Sequence, residues 1–408
     1  MSKIDDLIRQ YCPKGVEYKE LGEVCEFKRG KNLSKEVKGL GNIPIILYGE
    51  LYTTYGNYIK EIVSKTSFEI ASKGTPAYKT DILMPITSTT KEAQIGKASA
   101  LEVQETVYIG GDAIVLSHKQ NPGYMVYLLN GEWFEKRKME YRSGATVSHL
   151  SPKGIAKIKI PVPPLFVQEE IVRVLDAFTA LEAELEAELE ARKRQYEYYR
   201  KQLLSNSNLL YKKYKIKEIA KIYLGLTYTP KYVEKGIKFI SSQNISKDLL
   251  DLSNTKYISQ EEYKFVTDNA KPCKGDILFI RVGSNLGHPT IVETDEPLCI
   301  FVSLGYLRVK SSLVVNTYLK HWMNTECFWK QVRQKTFNAP KANLNTGWMN
   351  EFEIMLPPIE EQERIVAILD KFDSLVNDIS EGLPAELNAR RQQYEYYRNK
   401  LLTFTEMN

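Results

Sequence analysis

The chain has 408 residues, of which 43% are hydrophobic and 26% are charged. This composition is typical of soluble globular protein, with two to four domains at roughly 100–200 residues each. No uninterrupted apolar run of about 18 residues is present and residues 1–6 lack an apolar core, so we expect neither a membrane-spanning helix nor a secretory signal. Five scattered cysteines without a CxxC pair exclude a disulfide framework and a cysteine zinc site, and they favour the reducing cytoplasm.

Charge is unevenly distributed along the chain. Residues 166–205 and 360–405 each carry nine acidic and six basic side chains, a net charge of −3. Because the whole chain carries +5, the remaining residues carry +11. This excess favours a polyanionic partner for the rest of the chain, although solubility alone also accounts for it.

Short apolar runs in residues 1–165 predict strands at 44–48, 81–84 and 113–116. Polar loops follow the first two of these runs. Their hydroxyl, aromatic and cationic side chains can contact phosphates and base edges, although any polar loop has a similar composition. The candidate DNA-binding residues of this segment are Tyr52, Thr53, Thr54, Tyr55, Ser88, Thr89, Thr90 and Lys91.

Motifs that carry out chemistry are absent from the sequence. Asn121-Pro122-Gly123-Tyr124 is similar to the N-P-P-Y motif of amino-methyltransferases that hold a flipped base, but its third residue is Gly and no glycine-rich turn precedes it. We therefore interpret it as a turn before a helix. Without a G-x-x-x-x-G-K-[ST] motif or paired histidines at metal-ligand spacing, the sequence predicts no nucleotide, metal or catalytic site.

Residues 166–207 are predicted to form one long helix. Apolar residues recur there at steps of three, four and seven, which places them on one stripe of the helix. Three tetrads that start with Leu-Glu-Ala have high helix propensity, and they place Leu181, Leu185 and Leu189 in the spacer helix. We expect this spacer to be about 50 Å long, at about 1.5 Å per residue.

The chain contains an internal repeat. The pattern P-P-x-x-x-Q-E-x-I-V-x-x-L-D-x-F starts at Pro163 and again at Pro357, and Q-Y-E-Y-Y-R starts at Gln195 and again at Gln393. The offset between the copies grows from 194 to 198 residues, so the second copy carries a four-residue insertion. A six-residue identity inside a longer gapped match is not chance, and we predict a duplicated chain. Its segments are 1–165, 166–207, 208–359 and 360–405.

The second helical segment departs from the first at 380–384, Ser-Glu-Gly-Leu-Pro, which should break or kink it. A lone apolar stripe of this length needs a partner, and the nearest one is its own duplicate. Because the intervening domain must bring the chain back, we predict an antiparallel pair. Two unrelated surface helices are the alternative.

The second globular segment, 208–359, has the same character as the first. Apolar runs at 239–240, 276–281 and 298–302 predict its strands. Arg and Lys commonly contact guanine, and Asn and Gln contact adenine. The candidate DNA-binding residues in its loops are Gln243, Asn244, Arg281, Ser284 and Asn285.

These features together resemble the specificity (S) subunits of type I restriction-modification enzymes. The order of globular domain, P-P helix and Q-Y-E-Y-Y-R segment, given twice, covers essentially the whole chain, and the tetrads are similar to that family's spacer repeat. Residues 144–151 and 341–346, each shortly before a P-P pair, resemble further landmarks of the family. They add Lys341, Asn343 and Asn345 to the candidate DNA-binding residues.

The resemblance implies an α+β fold with two mixed α/β target-recognition domains. Two long helices, packed as an antiparallel coiled coil, would separate these domains, and the whole would have an internal pseudo-two-fold repeat. The implied function is sequence-specific binding of a bipartite double-stranded DNA site, which directs adenine methylation and restriction by partner subunits. Because the globular segments share little beyond their opening residues, we expect the site to be asymmetric.

The resemblance also implies partners for the chain. Two methylation subunits would carry S-adenosylmethionine, and two restriction subunits would carry ATP- and Mg-dependent translocation and cleavage. This chain would be non-catalytic and would hold no cofactor, in agreement with its missing motifs. A standalone DNA-binding regulator is the closest alternative. A methyltransferase–specificity fusion lacks a cofactor motif, and the +11 outside the helices argues against a coiled-coil scaffold that binds only protein.

The Q-Y-E-Y-Y-R segments contain too many tyrosines for one seam, because residues two apart on a helix point to different faces. We predict that Tyr196 and Tyr199 pack on the sister helix while Tyr198 faces the methylation subunit. An intramolecular aromatic cluster alone is the alternative. The matching residues of the second copy are Tyr394, Tyr397 and Tyr396. The predicted subunit-binding residues are Gln168, Gln362, Tyr198 and Tyr396.

Overall fold

The protein is represented by a computed structural model that describes residues 3–31, 33, 35–90, 94–144, 146–204, 211–246, 249–283, 285–310, 312–336, 343–378 and 380–407. They form two compact units, Met1–Leu185 with Leu387–Asn408, and Glu186–Glu386. Each unit contains one globular segment and a part of both helical segments. The units therefore cut across the segment boundaries predicted from the sequence.

Two larger sheets form the centre of the first unit. The apolar strand Ile82–Pro85 is buried at all four residues, as a continuous apolar run predicts for a covered strand. One sheet has the strand order Cys25–Arg29, Ala113–His118, Ile82–Pro85, Ser99–Leu101, Tyr58–Ile59, and the other Ser64–Thr66, Ile43–Ile46, Val107–Ile109, Thr75–Ala77. The smaller sheets are Arg142–Ser143, Ser148–Leu150, Thr87–Ser88, and Tyr18–Glu20 with Lys159–Pro161. The three strands expected from the apolar runs of this segment are confirmed.

The second unit repeats this architecture with different side chains. The parallel pair Ile237–Ile240 with Leu298–Ile300 corresponds to the pair Ile43–Ile46 with Val107–Ile109 in the first unit. The strand orders are Ala220–Leu224, Leu304–Val309, Ile277–Ile280, Pro289–Ile291, and Tyr232–Val233, Lys256–Ile258, Ile237–Ile240, Leu298–Ile300. The smaller pairs are Lys212–Lys215 with Glu353–Leu356 and Ile245–Ser246 with Leu249–Leu250. The strands expected in this segment are confirmed as well.

One helix, Leu165–Leu204, forms the predicted spacer as far as the described residues reach, and we call it the central helix. The C-terminal segment forms two helices, Ile359–Asn377 and Leu383–Leu401. None of the helices in the described part of the chain is long and apolar enough to cross a membrane. The remaining α-helices are Lys3–Tyr11, Leu21–Val24, Glu50–Thr53, Phe68–Ala71, Pro122–Leu129, Glu132–Lys138, Pro152–Ile155, Ile216–Ile219, Gln260–Phe265, Asn316–Met323, Glu326–Thr336 and Thr346–Asn350.

The helical segments pack antiparallel, as the first unit shows. The centroid of the Phe178 ring lies 5.5 Å from that of the Tyr397 ring and 6.4 Å from that of the Tyr394 ring. One turn further along the central helix, Glu182 accepts a hydrogen bond of 2.6 Å from Arg391 Nε. Increasing residue numbers on the central helix thus meet decreasing numbers on Leu383–Leu401, which confirms the antiparallel pairing.

The second unit contains the duplicate of this aromatic contact. The rings of Tyr196 and Tyr199 stack on the ring of Phe372, with distances between ring centroids of 6.3 and 5.4 Å. Offset stacking of this kind adds to the free energy of burial. The predicted packing of Tyr196 and Tyr199, and of their copies, on the sister helical segment is therefore confirmed.

A polar contact ties the beginning of each long helix to its globular segment. In the first unit, Tyr127 donates a hydrogen bond of 2.6 Å to the carboxylate of Asp176, and burial raises the pKa of this tyrosine, so it stays a donor. In the second unit, His321 Nε2 takes the place of that hydroxyl and lies 2.8 Å from the carboxylate of Asp370. The repeat thus preserves the contact while it exchanges the donor.

The expected break in the second helical segment lies between Asn377 and Leu383. There the carboxylate of Asp378 accepts hydrogen bonds from the backbone N–H groups of Ser380 and Glu381, at 2.7 and 3.2 Å. Such a turn competes with helix continuation, and Pro384 is tolerated because it stands in the first turn of the next helix. The break is confirmed.

Candidate nucleic-acid interface

In the first unit, four segments meet where the central strands end, and we call them the first loop edge: residues 47–55, 87–90, 110–112, and 142–149 without 145. Two backbone hydrogen bonds hold them together, from Ile86 N–H to the carbonyl of Asp112 and from Leu150 N–H to the carbonyl of Ile86, both 2.8 Å long. The hydroxyl of Tyr52 donates to the carbonyl of Thr87 at 3.0 Å. Burial raises the pKa of Tyr52, so this donor remains protonated.

A hydrogen-bonded chain of side chains lies on the first loop edge. The hydroxyl of Thr87 lies 3.0 Å from Asp112 Oδ1 and 3.2 Å from His149 Nδ1. Thr87 and His149 face each other across a strand pair. Beside them, Arg142 donates from Nε and Nη2 to the hydroxyl of Ser148, at 3.0 and 2.6 Å. These groups present cationic, imidazole and hydroxyl functions at one edge, the types that contact phosphates and bases.

The second unit has an equivalent edge, the second loop edge: residues 241–244, 281–283, 285, 301–303 and 343–345. Arg281 N–H donates to the carbonyl of Ser303, and Leu344 N–H donates to the carbonyl of Arg281, both at 2.8 Å. The hydroxyl of Ser303 accepts from Ser242 N–H at 3.1 Å. A cleft of about 550 Å³ opens beside these residues, and its polar lining includes Ser241, Ser242, Gln243, Asn244, Lys256 and Ser303.

The hydrogen bonds establish which residues of the two edges are equivalent. Leu150 bonds to Ile86 as Leu344 bonds to Arg281. One residue further, Thr87 pairs with His149 and Val282 pairs with Asn343. Ser151 and Asn345, which follow, each cap a short helix with the side-chain oxygen. The two edges are therefore the same structure with different side chains.

The first loop edge holds part of the predicted contact set. Thr53, Thr54, Thr89 and Thr90 are exposed, and Tyr52 is half-buried. Tyr55 and Ser88 are only 7% and 3% exposed. Tyr55 accepts a hydrogen bond from Val63 N–H, and Ser88 bonds to the backbone of Thr90. Both side chains are turned into the fold, and a DNA contact by either one stays a prediction. Lys91 lies outside the described residues.

The second loop edge separates the predicted residues in the same way. Gln243, Asn285, Asn343 and Asn345 are exposed. Asn244 is 9% exposed, and its amide bonds to the backbone of Ser241, Asp251 and Asn254. Its predicted DNA contact stays a prediction. Ser284 and Lys341 lie outside the described residues.

Arg281 is half-buried in the second loop edge rather than extended into solvent. Its guanidinium donates to the carbonyls of Val302 and Leu344, at 3.0 and 3.4 Å. Burial lowers the pKa of this guanidinium, although arginine remains charged. Its positive charge therefore contributes to the edge while two of its donors organise the loops.

Gln168 and Gln362 have a role that the sequence did not indicate. Both side chains are completely buried. The amide of Gln168 accepts from Asn121 N–H at 2.9 Å and donates to the carbonyl of Pro163 at 2.8 Å. Gln362 makes the equivalent bonds to Val315 N–H and the carbonyl of Pro357, both at 2.9 Å. Both side chains thus satisfy buried backbone groups that would otherwise have no partner, and their predicted role in subunit binding stays a prediction.

The tyrosines of the repeated Q-Y-E-Y-Y-R segments divide into buried and exposed members. Tyr198 and Tyr396 are 60% and 62% exposed, whereas Tyr196 is 5% exposed. Each exposed ring lies edge-on to the neighbouring tyrosine, at 5.5 Å for Tyr198 and 5.3 Å for Tyr396. Two equivalent helix surfaces thus each present a tyrosine that is more than half exposed, and Tyr199 beside Tyr198 is 39% exposed as well.

Sequence reasoning did not assign Asp112, Arg142 or His149 to the first loop edge. His149 lies within the segment that resembled a family landmark, but only the strand pairing brings it to Thr87. Asp112 follows two glycines and has a φ of 63°, in the left-handed region. Among residues other than glycine, Asp and Asn adopt this region most readily. A Gly-Gly-Asp turn directly before a buried strand was the available signal.

Comparison with protein families and curated proteins gives consistent matches. A family model described as "Type I restriction modification DNA specificity domain" matches residues 13–191 and 208–389. The EcoR124I/EcoR124II specificity subunit of a type I restriction enzyme from Escherichia coli is 34% identical over 291 residues, which cover 67% of this chain and 69% of that protein. A putative type I restriction enzyme specificity subunit of Haemophilus influenzae is 33% identical over 279 residues, covering 65% and 69%.

Solved structures share the fold over nearly the whole chain. A type I restriction-modification S subunit from M. genitalium superimposes with a TM-score of 0.57 at 13% identity, covering 95% of this chain and 96% of the other. A chain from a structure on complex assembly and conformational transition of the type I R-M system gives 0.58 at 16% identity, covering 95% and 97%.

Proposed function

Because the chain belongs to the family of type I restriction-modification DNA specificity subunits, we propose that it reads a two-part DNA site with its two globular segments. Each loop edge would read one half of the site. The observation that carries this proposal is the occurrence of the same edge in both units, built on equivalent backbone hydrogen bonds. The +11 charge outside the helical segments supplies the attraction to phosphates that such binding requires.

The proposed site is asymmetric, because equivalent positions of the two edges carry different side chains. Thr87 corresponds to Val282, and His149 corresponds to Asn343. Base identity is read through the donor and acceptor pattern of the base edge, so different side chains select different bases. Conserved backbone geometry with altered side chains is therefore suited to two unlike half-sites.

The proposed partners are those of a type I system. Methylation subunits would supply S-adenosylmethionine and methylate adenine, and restriction subunits would supply ATP- and Mg-dependent translocation and cleavage. We propose two copies of each, which suits a chain whose helical surfaces are duplicated. In this arrangement the chain selects the DNA site, and the reactions take place on the partners.

Exchange of one globular segment tests the proposal. If residues 15–160 are replaced by the corresponding segment of another family member, one half of the methylated motif should change while the other half stays the same. The measurement is methylome sequencing of cells that carry the chimera with the methylation subunit. The reciprocal chimera, exchanged at 212–356, is the matched control and should alter the opposite half. A change in both halves by either chimera would contradict independent reading.

The two exposed tyrosines provide a test of the partner surface. We expect Tyr198→Asp with Tyr396→Asp to abolish co-purification of the methylation subunit, because buried interface tyrosines typically contribute about 2 kcal/mol or more, roughly 30-fold in affinity each. The free chain should stay folded, since substitutions at exposed positions usually change stability by only about 0.5 kcal/mol. Pull-down of the tagged methylation subunit measures the loss.

A pair of matched variants controls this experiment. Tyr198→Phe with Tyr396→Phe keeps both rings and should keep most of the binding. Tyr196→Asp, in contrast, places a charge at a position that is 5% exposed and should unfold the helical pair. Stoichiometric binding by the double Asp variant would remove these tyrosines from the interface.

A further inference from the structure

The chain of contacts from Asp112 through Thr87 to His149 determines where the protons are. The carboxylate of Asp112 can only accept, so the hydroxyl of Thr87 donates its single proton to Asp112 Oδ1, 3.0 Å away. That hydroxyl then has only lone pairs left for His149 Nδ1, at 3.2 Å. The hydrogen bond therefore requires a proton on Nδ1, and a neutral His149 carries its free lone pair on Nε2.

These hydrogen bonds fix the orientation of the His149 ring, and they also fix which ring nitrogen donates and which one accepts. Its side chain is exposed on the first loop edge, and Nε2 has no hydrogen-bond partner within the described part of the chain. The strand pair that carries the ring is itself anchored, since Leu150 N–H bonds to the carbonyl of Ile86. A locked ring loses little conformational freedom on binding, which favours selective recognition.

We propose that His149 reads one base of the first half-site, with Nε2 as the acceptor for an exocyclic amino group in the major groove, that of adenine or cytosine. This inference rests on the proposed DNA-reading function and names one residue and one chemistry for it. In the major groove, adenine presents N6 and cytosine presents N4 as donors. These amino groups lie at different positions across the base pair. An acceptor that is held at a fixed position, such as His149 Nε2, therefore distinguishes between base pairs.

The second unit supports this assignment independently. The residue equivalent to His149 is Asn343, which stands opposite Val282 and is exposed. Asparagine is a common reader of adenine. Equivalent positions of the first and second loop edges thus both carry a side chain that can read a base. In the first loop edge, Thr87 and Asp112 also hold the reading side chain by hydrogen bonds. Val282, the equivalent of Thr87, has no hydroxyl and cannot do so.

The test compares methylation motifs and then removes the amino group itself. In the assembled complex with its methylation subunit, His149→Ala should relax one position of the first half-site and leave all other positions unchanged. Duplexes that lack the amino group at that position, with purine in place of adenine or 2-pyrimidinone in place of cytosine, are then used in competition binding. The wild-type complex should lose roughly fivefold in affinity, and the His149→Ala complex should lose nothing, as for a single specific hydrogen bond.

Three further variants separate reading from folding. His149→Gln keeps an acceptor and should keep the preference, which also carries the test if His149→Ala fails to fold. Thr87→Val keeps the shape but removes the hydroxyl, and it should weaken the preference and shift the ¹⁵N signals of the His149 ring away from the Nδ1–H tautomer. Gln104→Ala, at an exposed position outside both loop edges, should leave the motif intact.

The outcomes distinguish this inference from the proposed function. An unchanged motif with His149→Ala, or equal amino-group sensitivity in both complexes, overturns the role of His149 while the two-part reading stands. A wild-type complex that methylates no two-part motif overturns the proposed function itself, whatever the variants do.

Discussion

Removal of residues 383–408 should unfold the first unit, although these residues stand at the opposite end of the sequence from most of it. Leu401 and Leu402 are each 7% exposed and belong to the core of that unit. The segment after them forms backbone hydrogen bonds with Val16, which donates to the carbonyl of Thr405 and accepts from Met407, at 2.8 and 3.0 Å. The C-terminus is thus part of the first domain.

The expected loss is comparable to the stability of a domain. Truncation of one buried leucine to alanine costs about 2–5 kcal/mol, and whole domains are stable by about 5–15 kcal/mol. Hydrogen exchange followed by mass spectrometry measures the effect, because it reports each part of the chain separately. Peptides from 1–185 should lose protection, while those from 211–336 keep theirs. Leu401→Ala with Leu402→Ala should give a weaker form of the same pattern.

Met407→Ala is the matched control for the leucine variants. Its side chain is 50% exposed, so its removal should leave the exchange pattern unchanged. Native protection of 1–185 in the chain that ends at 382 would mean that the first unit folds without its C-terminal part.

Local periodicity explains which parts of the fold the sequence predicts. The buried strand Ile82–Pro85 is a continuous apolar run, and apolar residues recur along the central helix at steps of three, four and seven. The break before Leu383 follows from Gly382 and Pro384. Such patterns depend only on near neighbours in the chain. The contribution of the C-terminus to the first domain depends on contacts across nearly the whole sequence, and no local pattern records it.

The candidate site was less predictable, because the direction of each individual side chain decides which loop residues are exposed. Thr54 is exposed and the adjacent Tyr55 is buried, yet both belong to one polar loop. Gln168 is polar and still completely buried, since backbone groups around Asn121 need its amide. Composition identifies a loop that can bind DNA, but the strand pairing decides which residues of the loop reach the surface.

The largest functional effect is expected from a change in the length of the central helix. If both loop edges contact one duplex at the same time, as proposed, the helix length should determine the spacing between the half-sites. Deletion of residues 185–188 removes one tetrad, about 6 Å of helix, which corresponds to one to two base pairs of rise. The deletion turns the helix only about 40° beyond a full turn, so the apolar stripe is nearly preserved. The opposing segment is already interrupted between Asn377 and Leu383.

We therefore expect the four-residue deletion to give a folded subunit that binds its partner and recognises the same half-sites with a spacer shortened by one or two base pairs. Deletion of only residues 185–186 is the control. It rotates the stripe by roughly 200°, moves Leu189 away from its buried position, where it is 9% exposed, and should unfold the helical pairs. Methylome mapping measures the spacer, and circular dichroism measures the fold. If the four-residue deletion methylated both half-sites at the original spacing, the helix length would not determine that spacing.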